Sequence, residues 1–430
     1  MWHLWKFLAS VRLAIFLLAA LALISVIGTI IPQHQSPAFY AGRYSPSVAA
    51  FFQALDIPSM YGSWWFVAML ALLALNLIVC SLDRLPRVWQ IIGADPAAMP
   101  VERIKKMPER ASWPVSKASL PAVKTLLAAR GFTAVNDRLF VKAQGAWSRL
   151  GAYIVHLSIL IIFAGALLGQ RYGFKGNLTL PEGEASDAIF LSQNSARQPL
   201  GFTLRCDSFT IAYYDNGMPK EYLSRLTILE DGKPVLSGGI AVNHPLRYKG
   251  ITFYQASYQP YEDFIVEFTK NGSPQGERHA FTVPFQKQEE WPGEGVSFGV
   301  LSAEGQGQRL ERLKLWLKKG EDEPRVLSLA VGEEADFGLY KVRVRQLYAT
   351  GLQVAKDPGV PLVYLGCGLL IFGLYVAFFL AHRRVFALLE ETEVDNNYGL
   401  LLAGTANKNR FGFAKNFAAL KDEIEKKLAV

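Results

Sequence analysis

Four runs without Asp, Glu, Lys or Arg interrupt the chain, at 13–31, 63–82, 150–169 and 360–381. At 1.5 Å rise per residue, about 20 apolar residues cross a bilayer, so each run predicts a transmembrane helix. Four crossings put both termini on one side. Between the third and fourth runs, over 170–358, the pattern changes to apolar–polar alternation. Turn signals break it at Asp215-Asn216-Gly217, Asp231-Gly232 and Asn271-Gly272, which predicts an antiparallel sandwich or open barrel. Over 83–149 the signals are mixed. Ser119 reads as an N-cap, Pro121 as first turn and Gly131 as the C′ stop of a helix whose apolar side is Leu126, Leu127 and Phe132, with short strands around Asn136-Asp137. That segment is too small for a large core of its own.

The fold class predicted is an integral membrane α-helical protein of four transmembrane helices, with a large extracytoplasmic all-β domain and a small cytoplasmic α+β insert. The division is 1–82 for helices one and two with a short outer loop, 83–149 for the insert and 150–169 for helix three. The β-rich domain takes 170–358, helix four 359–382 and a cytoplasmic tail 383–430. The first run also resembles a signal peptide, but its core is too long and no A-x-A exit follows, so it reads as a retained anchor.

The third run, GAYIVHLSILIIFAGALLG, carries the candidate chemistry. Drawn as a helix, Gly151, Ser158, Gly165 and Gly169 form one narrow stripe suited to close packing against another helix, and Gly366 and Gly373 of the fourth run offer a second packing stripe. His156 projects to the opposite side among Ala152, Ile159, Leu160, Phe163 and Leu167. An ionisable residue at membrane depth is costly, so two readings stand: a histidine bonded to a neighbouring backbone carbonyl, or a ligand or relay.

Charge adds orientation. Lys6, Arg12, Arg84, Arg87, Lys142, Arg149, Arg383 and Arg384 all flank the spans on one face, and the insert has twelve Lys or Arg against five Asp or Glu. The positive-inside rule makes that face cytoplasmic. The net charge of +8 is therefore topological; no basic stripe interleaved with aromatics points to nucleic acid. The insert's charge is solvated or meets anionic headgroups. Trp64 and Trp65 suit a membrane-interface belt.

The three cysteines, Cys80, Cys206 and Cys367, form no C-x-x-C or C-x-x-C-H. A thioredoxin-type dithiol and a self-attached c-type haem are thereby excluded within this chain. Cys206 reads either as a buried inert thiol or as one that exchanges disulfides with a thiol-bearing partner. In the β region AVNHPLRYKGITFYQASY, residues 241–258, is more polar and aromatic than a plain strand requires, and His244 and His279 are its outer histidines. For each, a surface or turn role stands beside a substrate contact. His382 flanks the inner end of the fourth run and reads as interfacial. No G-x-x-x-x-G-K loop is present.

Taken in order, RLAIFLLAALALISVIGTIIPQ, SWWFVAMLALLALNLIVCSLDR, GAYIVHLSIL, VNHPLRYKGITFYQASY, KDPGVPLVYLGCGLLIFGL and GTANKNRF resemble the ResB family, the membrane subunit of System II cytochrome c biogenesis. Only Ala403 departs, standing where a second glycine is expected. The resemblance implies that the chain works with a second integral membrane haem-handling subunit (ResC/CcsA-like). Together they would carry haem from the cytoplasmic to the outer side and attach it to C-x-x-C-H of apocytochrome c.

It also implies that His156 is an axial ligand of haem b, and so a metal ligand through the haem iron, with the second ligand supplied elsewhere. The chain then has no catalytic residue of its own and belongs to a holocytochrome c synthase complex. His244 and Cys206 become the candidates for apocytochrome contact or thiol exchange, with membrane thioredoxin-like thiol-reducing proteins as further partners and no nucleic acid. The implied location is the inner membrane, multi-pass, with both termini cytoplasmic. The competing readings are a b-haem electron-transfer subunit, which ordinarily needs a paired histidine in the same bundle, and a membrane sensor, for which no kinase or DNA-binding motif is visible.

Overall fold

The computed structural model describes residues 2–214, 216, 218–272, 277–306, 309–391 and 398–428. Asp215 and Gly217, from the first turn signal, lie outside them. The chain divides into two units, residues 1–167 with 359–430, and residues 168–358.

In the first unit α1 (Trp2–Leu8) leads into α2 (Val11–Ile30), which ends before Pro32. The loop between the first two runs folds into α3 (Pro37–Tyr44), α4 (Pro46–Ala54) and a 3₁₀ turn (Ile57–Gly62). Tyr40, Ala49, Ile57 and Met60 give these a small core. Next, α5 (Trp64–Gly93) runs for 30 residues with Pro86 inside it. It therefore carries on well past the apolar run, and residues 83–93, read from sequence as part of the insert, are helix.

The insert itself supplies α6 (Val101–Lys105), β1 (Glu109–Val115), α7 (Leu120–Ala129), β2 (Thr133–Ala134) and β3 (Leu139–Gln144), and α8 (Gly151–Tyr172) follows.

The second unit is antiparallel β throughout its described strands. They are β4 (Phe174–Pro181), β5 (Ala185–Leu191), β6 (Arg197–Tyr213), β7 (Pro219–Glu230), β8 (Lys233–Ala241), β9 (Leu246–Tyr248) and β10 (Ile251–Lys270). After these come β11 (Arg278–Pro284), β12 (Gln288–Trp291), β13 (Val296–Gln306), β14 (Arg309–Lys319), β15 (Arg325–Ala330), β16 (Glu334–Phe337) and β17 (Tyr340–Lys356). A ten-stranded sheet runs β11-β10-β17-β4-β5-β6-β7-β8, with β9 and β16 on β10 and β17; a four-stranded sheet runs β12-β13-β14-β15.

The Asp231-Gly232 signal is a two-residue hairpin between Glu230 and Lys233 with φ of 49° and 76°, the geometry that makes Asp-Gly favourable there. The long pair β10 and β17 serves two cores. Near one end Ile251, Phe253, Leu352 and Val354 face Leu204, Leu226 and Ile240. Near the other, Phe264, Val266, Phe268, Val342 and Val344 pack on Phe298, Leu315 and Leu317 of the smaller sheet. Register shifts at 255/257 and 260/264 separate the two ends, bending β10 as bulges do.

The chain returns to the first unit through α9 (Val360–Phe379), β18 (Arg383–Glu391), β19 (Tyr398–Ala406) and α10 (Arg410–Leu428). Here the structure departs from the sequence division. The insert and tail, expected as separate segments, share one sheet ordered β1-β19-β18-β3-β2. Leu389, Leu400 and Leu402 face α7 and α10, while Phe386, Leu388 and Ala403 face Ile104 of α6. Strands buried on both faces read as continuous apolar runs, and FALL in β18 and LLLA in β19 are such runs. Within the expected tail, β19 is thus an interior strand, followed by the helix α10.

Candidate functional site

Close contact between α8 and α9 organises the spans of the first unit. A Cβ added at Gly151 would lie 2.6 Å from the Ala377 nitrogen, at Gly165 2.9 Å from the Gly359 carbonyl, and at Gly373 2.9 Å from the Val155 nitrogen. Gly366 meets Ile162 and the Ser158 carbonyl in the same way. Ser158 is fully buried and donates to the Val155 carbonyl at 2.7 Å, so its hydroxyl is satisfied within its own helix. Small residues permit this backbone approach; α9 and the residue before it take up Gly151, Ser158 and Gly165 of the stripe, while Gly169 meets Asp357.

The histidine face is therefore turned elsewhere. Ile159, Leu160 and Phe163 pack with Leu17 and Leu21 of α2 and with Phe66, Leu73 and Leu77 of α5. Among them His156 is half-buried, its Nδ1 lying 2.9 Å from the Ser81 hydroxyl of α5. The Tyr153 ring stands edge-on at 6.4 Å. The hydrogen-bond partner is thus a hydroxyl from another helix, not the neighbouring backbone carbonyl of the packing reading.

This bond matters because the ring nitrogens are coupled. If Nδ1–H donates to Ser81, Nε2 keeps its lone pair; if Ser81 donates, Nε2 carries the proton and cannot ligate. Among the described residues Nε2 has no hydrogen-bond partner. Nor is any group of three or more His, Cys, Asp or Glu placed to hold a metal ion. Iron ligation by this site would rest on one imidazole.

The remaining candidates sit apart from that face. Cys206, in β6, is fully buried in the first core of the β unit, and its Sγ lies 3.8 Å from the Ser208 carbonyl. Burial, with Glu182 and Asp207 nearby, pushes its thiol up to about 12, so almost no thiolate exists at neutral pH. Disulfide exchange needs the thiolate and access; the inert reading is the one this environment supports.

His244 is exposed in the turn after β8, where Asn243 has φ 65°. Its Nδ1 lies 3.3 Å from the Val242 carbonyl. His279, on β11, stacks at 4.6 Å on Trp291 and lies 4.0 Å from Glu277. No hydrogen bond or ion pair joins any two of these three among the described residues. Within the 241–258 stretch Gln255 is buried and bonded to Ser224 and Thr350 at 2.6 and 3.1 Å, and Tyr248 and Lys249 both bind Glu230.

His382, just beyond the end of α9, is only 5% exposed. Arg149 Nε donates to its Nδ1 at 3.0 Å. Burial, Arg149 and Arg384 push its pKa down to about 4. Asn407 clamps its backbone in both directions: the His382 N–H donates to Oδ1 at 2.8 Å, and the Asn407 N–H donates to the His382 carbonyl at 3.1 Å. Lys408 donates to the Ala377 carbonyl at 2.6 Å, near the end of α9, where cations satisfy unpaired carbonyls. Ser81 and Arg149 were not found from sequence. The available signal was a hydroxyl near the inner end of span two, at a depth comparable with His156.

Among the described residues four helices are long and apolar enough to cross a membrane, and together with the large β-sheet-rich unit they define a multi-pass membrane protein. The chain belongs to the ResB-like family, whose model matches residues 11–308 and 300–418.

Among curated relatives, the cytochrome c biogenesis protein CcsB of Synechococcus sp. (strain JA-3-3Ab) is 31% identical, over 97% of this chain and 89% of its own. CcsB of Gloeobacter violaceus is 29% identical over 97% and 90%. The cytochrome c biogenesis protein Ccs1 of Rhodomonas salina is 28% identical over 97% and 96%. Family and relatives together give this chain a role in cytochrome c biogenesis. A solved cytochrome c haem lyase, CcmF, is a distant likeness, 12% identical with a TM-score of 0.26; the alignment covers 76% of this chain and 44% of that one.

Proposed function

We propose that this chain holds haem b in transit through His156, as one axial ligand, at an interface with a second integral membrane haem-handling subunit. That subunit supplies the other ligand. The pair carries haem from the cytoplasmic to the outer side and supports its attachment to C-x-x-C-H of apocytochrome c. The chain would sit in the inner membrane with both termini cytoplasmic and the β unit outside, since Lys6, Arg12, Arg84, Arg87, Lys142, Arg149, Arg383 and Arg384 flank the spans on one face.

The observation that carries this reading is the Ser81–His156 bond. Haem iron takes histidine as an axial ligand. Ligating imidazoles are held by a bond from their other nitrogen, which sets tautomer and ring direction. With Nδ1–H donated to Ser81, Nε2 is the ligating atom. The aliphatic and aromatic neighbours of His156 supply a hydrophobic wall for a macrocycle. With no C-x-x-C in its sequence, the chain contributes ligation, scaffold and docking, and thioether formation belongs to the partner.

The test is the haem absorption spectrum of the complex co-purified with its partner. Haem should be retained by wild type, lost in His156→Ala and restored by imidazole in His156→Gly. Ser81→Ala should keep the ligand but weaken haem retention about 10- to 100-fold, the usual cost of removing an outer-shell partner. Full haem content and normal cytochrome c maturation in His156→Ala would leave His156 a packing residue.

A further inference from the structure

Within the first unit, α10 lies across one face of the five-stranded sheet and leaves a half-open cavity of about 360 Å³ against β3 and β18. Phe132, Phe413 and Phe417, drawn from the core on that face, make its floor apolar. The rim is basic. Arg130, Lys142 and Arg383 line it against a single acid, Glu423, so the lining has a surplus of two positive charges.

Arg130 already holds Glu423 at 2.6 Å. The Lys142 amine donates to the Arg130 carbonyl at 2.6 Å. Neither Lys142 nor Arg383 has a carboxylate partner among the described residues. Two cations thus border an apolar hollow without a counter-ion.

The strands place this rim. Arg383 opens β18, four residues after Phe379 ends α9, and pairs in register with Gln144, the last residue of β3 and seven before α8 begins. The basic edge therefore sits where two spans leave the membrane on the same face. We propose that the cavity binds the phosphate headgroup of an anionic phospholipid. Lys142 and Arg383 meet the phosphate oxygens, and the phenylalanine floor lies under the glycerol while the acyl chains stay in the bilayer. Basic pockets next to transmembrane helices take anionic headgroups in this way. A free phosphate would make no use of the apolar floor.

Native mass spectrometry of the full chain in detergent tests this, titrating phosphatidylglycerol, phosphatidylcholine and inorganic phosphate. Wild type should hold one phosphatidylglycerol about tenfold more tightly than phosphatidylcholine, and Lys142→Gln/Arg383→Gln should lose that preference. Asn416→Glu, which puts a carboxylate on the exposed rim without touching the sheet, should lose it too, so the result does not depend on one variant folding. Lys142→Arg should keep it. Unchanged preference in a folded glutamine variant and in Asn416→Glu overturns the proposal. Displacement of the lipid by equimolar inorganic phosphate assigns the cavity to free phosphate and overturns the lipid.

Discussion

At the scale of single residues the chain places one imidazole within α8 and one just beyond α9, and treats them differently. His156 faces a neutral hydroxyl, whereas His382 accepts a bond from one guanidinium and lies beside a second. His382 is therefore neutral in the fold and positively charged in the unfolded chain below its ordinary value near 6.5. Between about 4 and 6.5 the unfolded state binds more protons, so stability falls as pH drops through that window and levels off below it. The full loss is at most about 3 kcal/mol. Melting in detergent from pH 7 to 4 should show it, and His382→Gln, which keeps an acceptor for Arg149, should remove that component of the slope. An identical slope in the variant would mean that other groups carry the acid sensitivity.

At the scale of elements, α8 has its two faces committed to different neighbours. The glycine side is met by α9; on the histidine side Ile159, Leu160 and Phe163 pack on α2 and α5, while Ala152 and Leu167 stay exposed. Gly373→Leu must push its side chain into Val155, and overpacking of this kind costs about 1–3 kcal/mol. Its melting temperature should fall, while Gly368→Leu, with nothing within 4 Å of its Cβ, should melt like wild type. Equal melting of the two would show that α8 and α9 have room to separate. Both stripes were legible in the sequence, because small residues at helical spacing leave one kind of surface. The Ser81 bond was not: Cys80, Ser81 and Leu82 carry no signal of rotation, and only helix packing aims one hydroxyl at His156.

At the scale of the whole molecule, the cytoplasm-predicted sheet is discontinuous in sequence. β18 and β19 occupy its middle and separate β1 from β3. Ending the chain at Ala381 removes both strands and α10, leaving Phe132, Phe140 and Val141 without the apolar faces that bury them. Such a truncation should make 109–144 rapidly cleavable by protease, while 168–358, which keeps both its cores, stays resistant. Protection of 109–144 in the truncated chain would show that the insert folds alone.

Much of the fold was nonetheless readable from residues alone. Span length is set by bilayer thickness and apolar composition, strand alternation by the period of the pleat, and the Asp231-Gly232 hairpin by the positive φ its turn requires. All of these are local, so a window of sequence contains the cause. Tertiary structure decided the rest: that β18 and β19 complete a sheet begun some 280 residues earlier, that β10 and β17 serve two cores, and that Ser81 meets His156 across 75 positions. Pairings over such separations follow from which buried faces and unpaired edges satisfy one another once the loops have closed, and no local period records that choice.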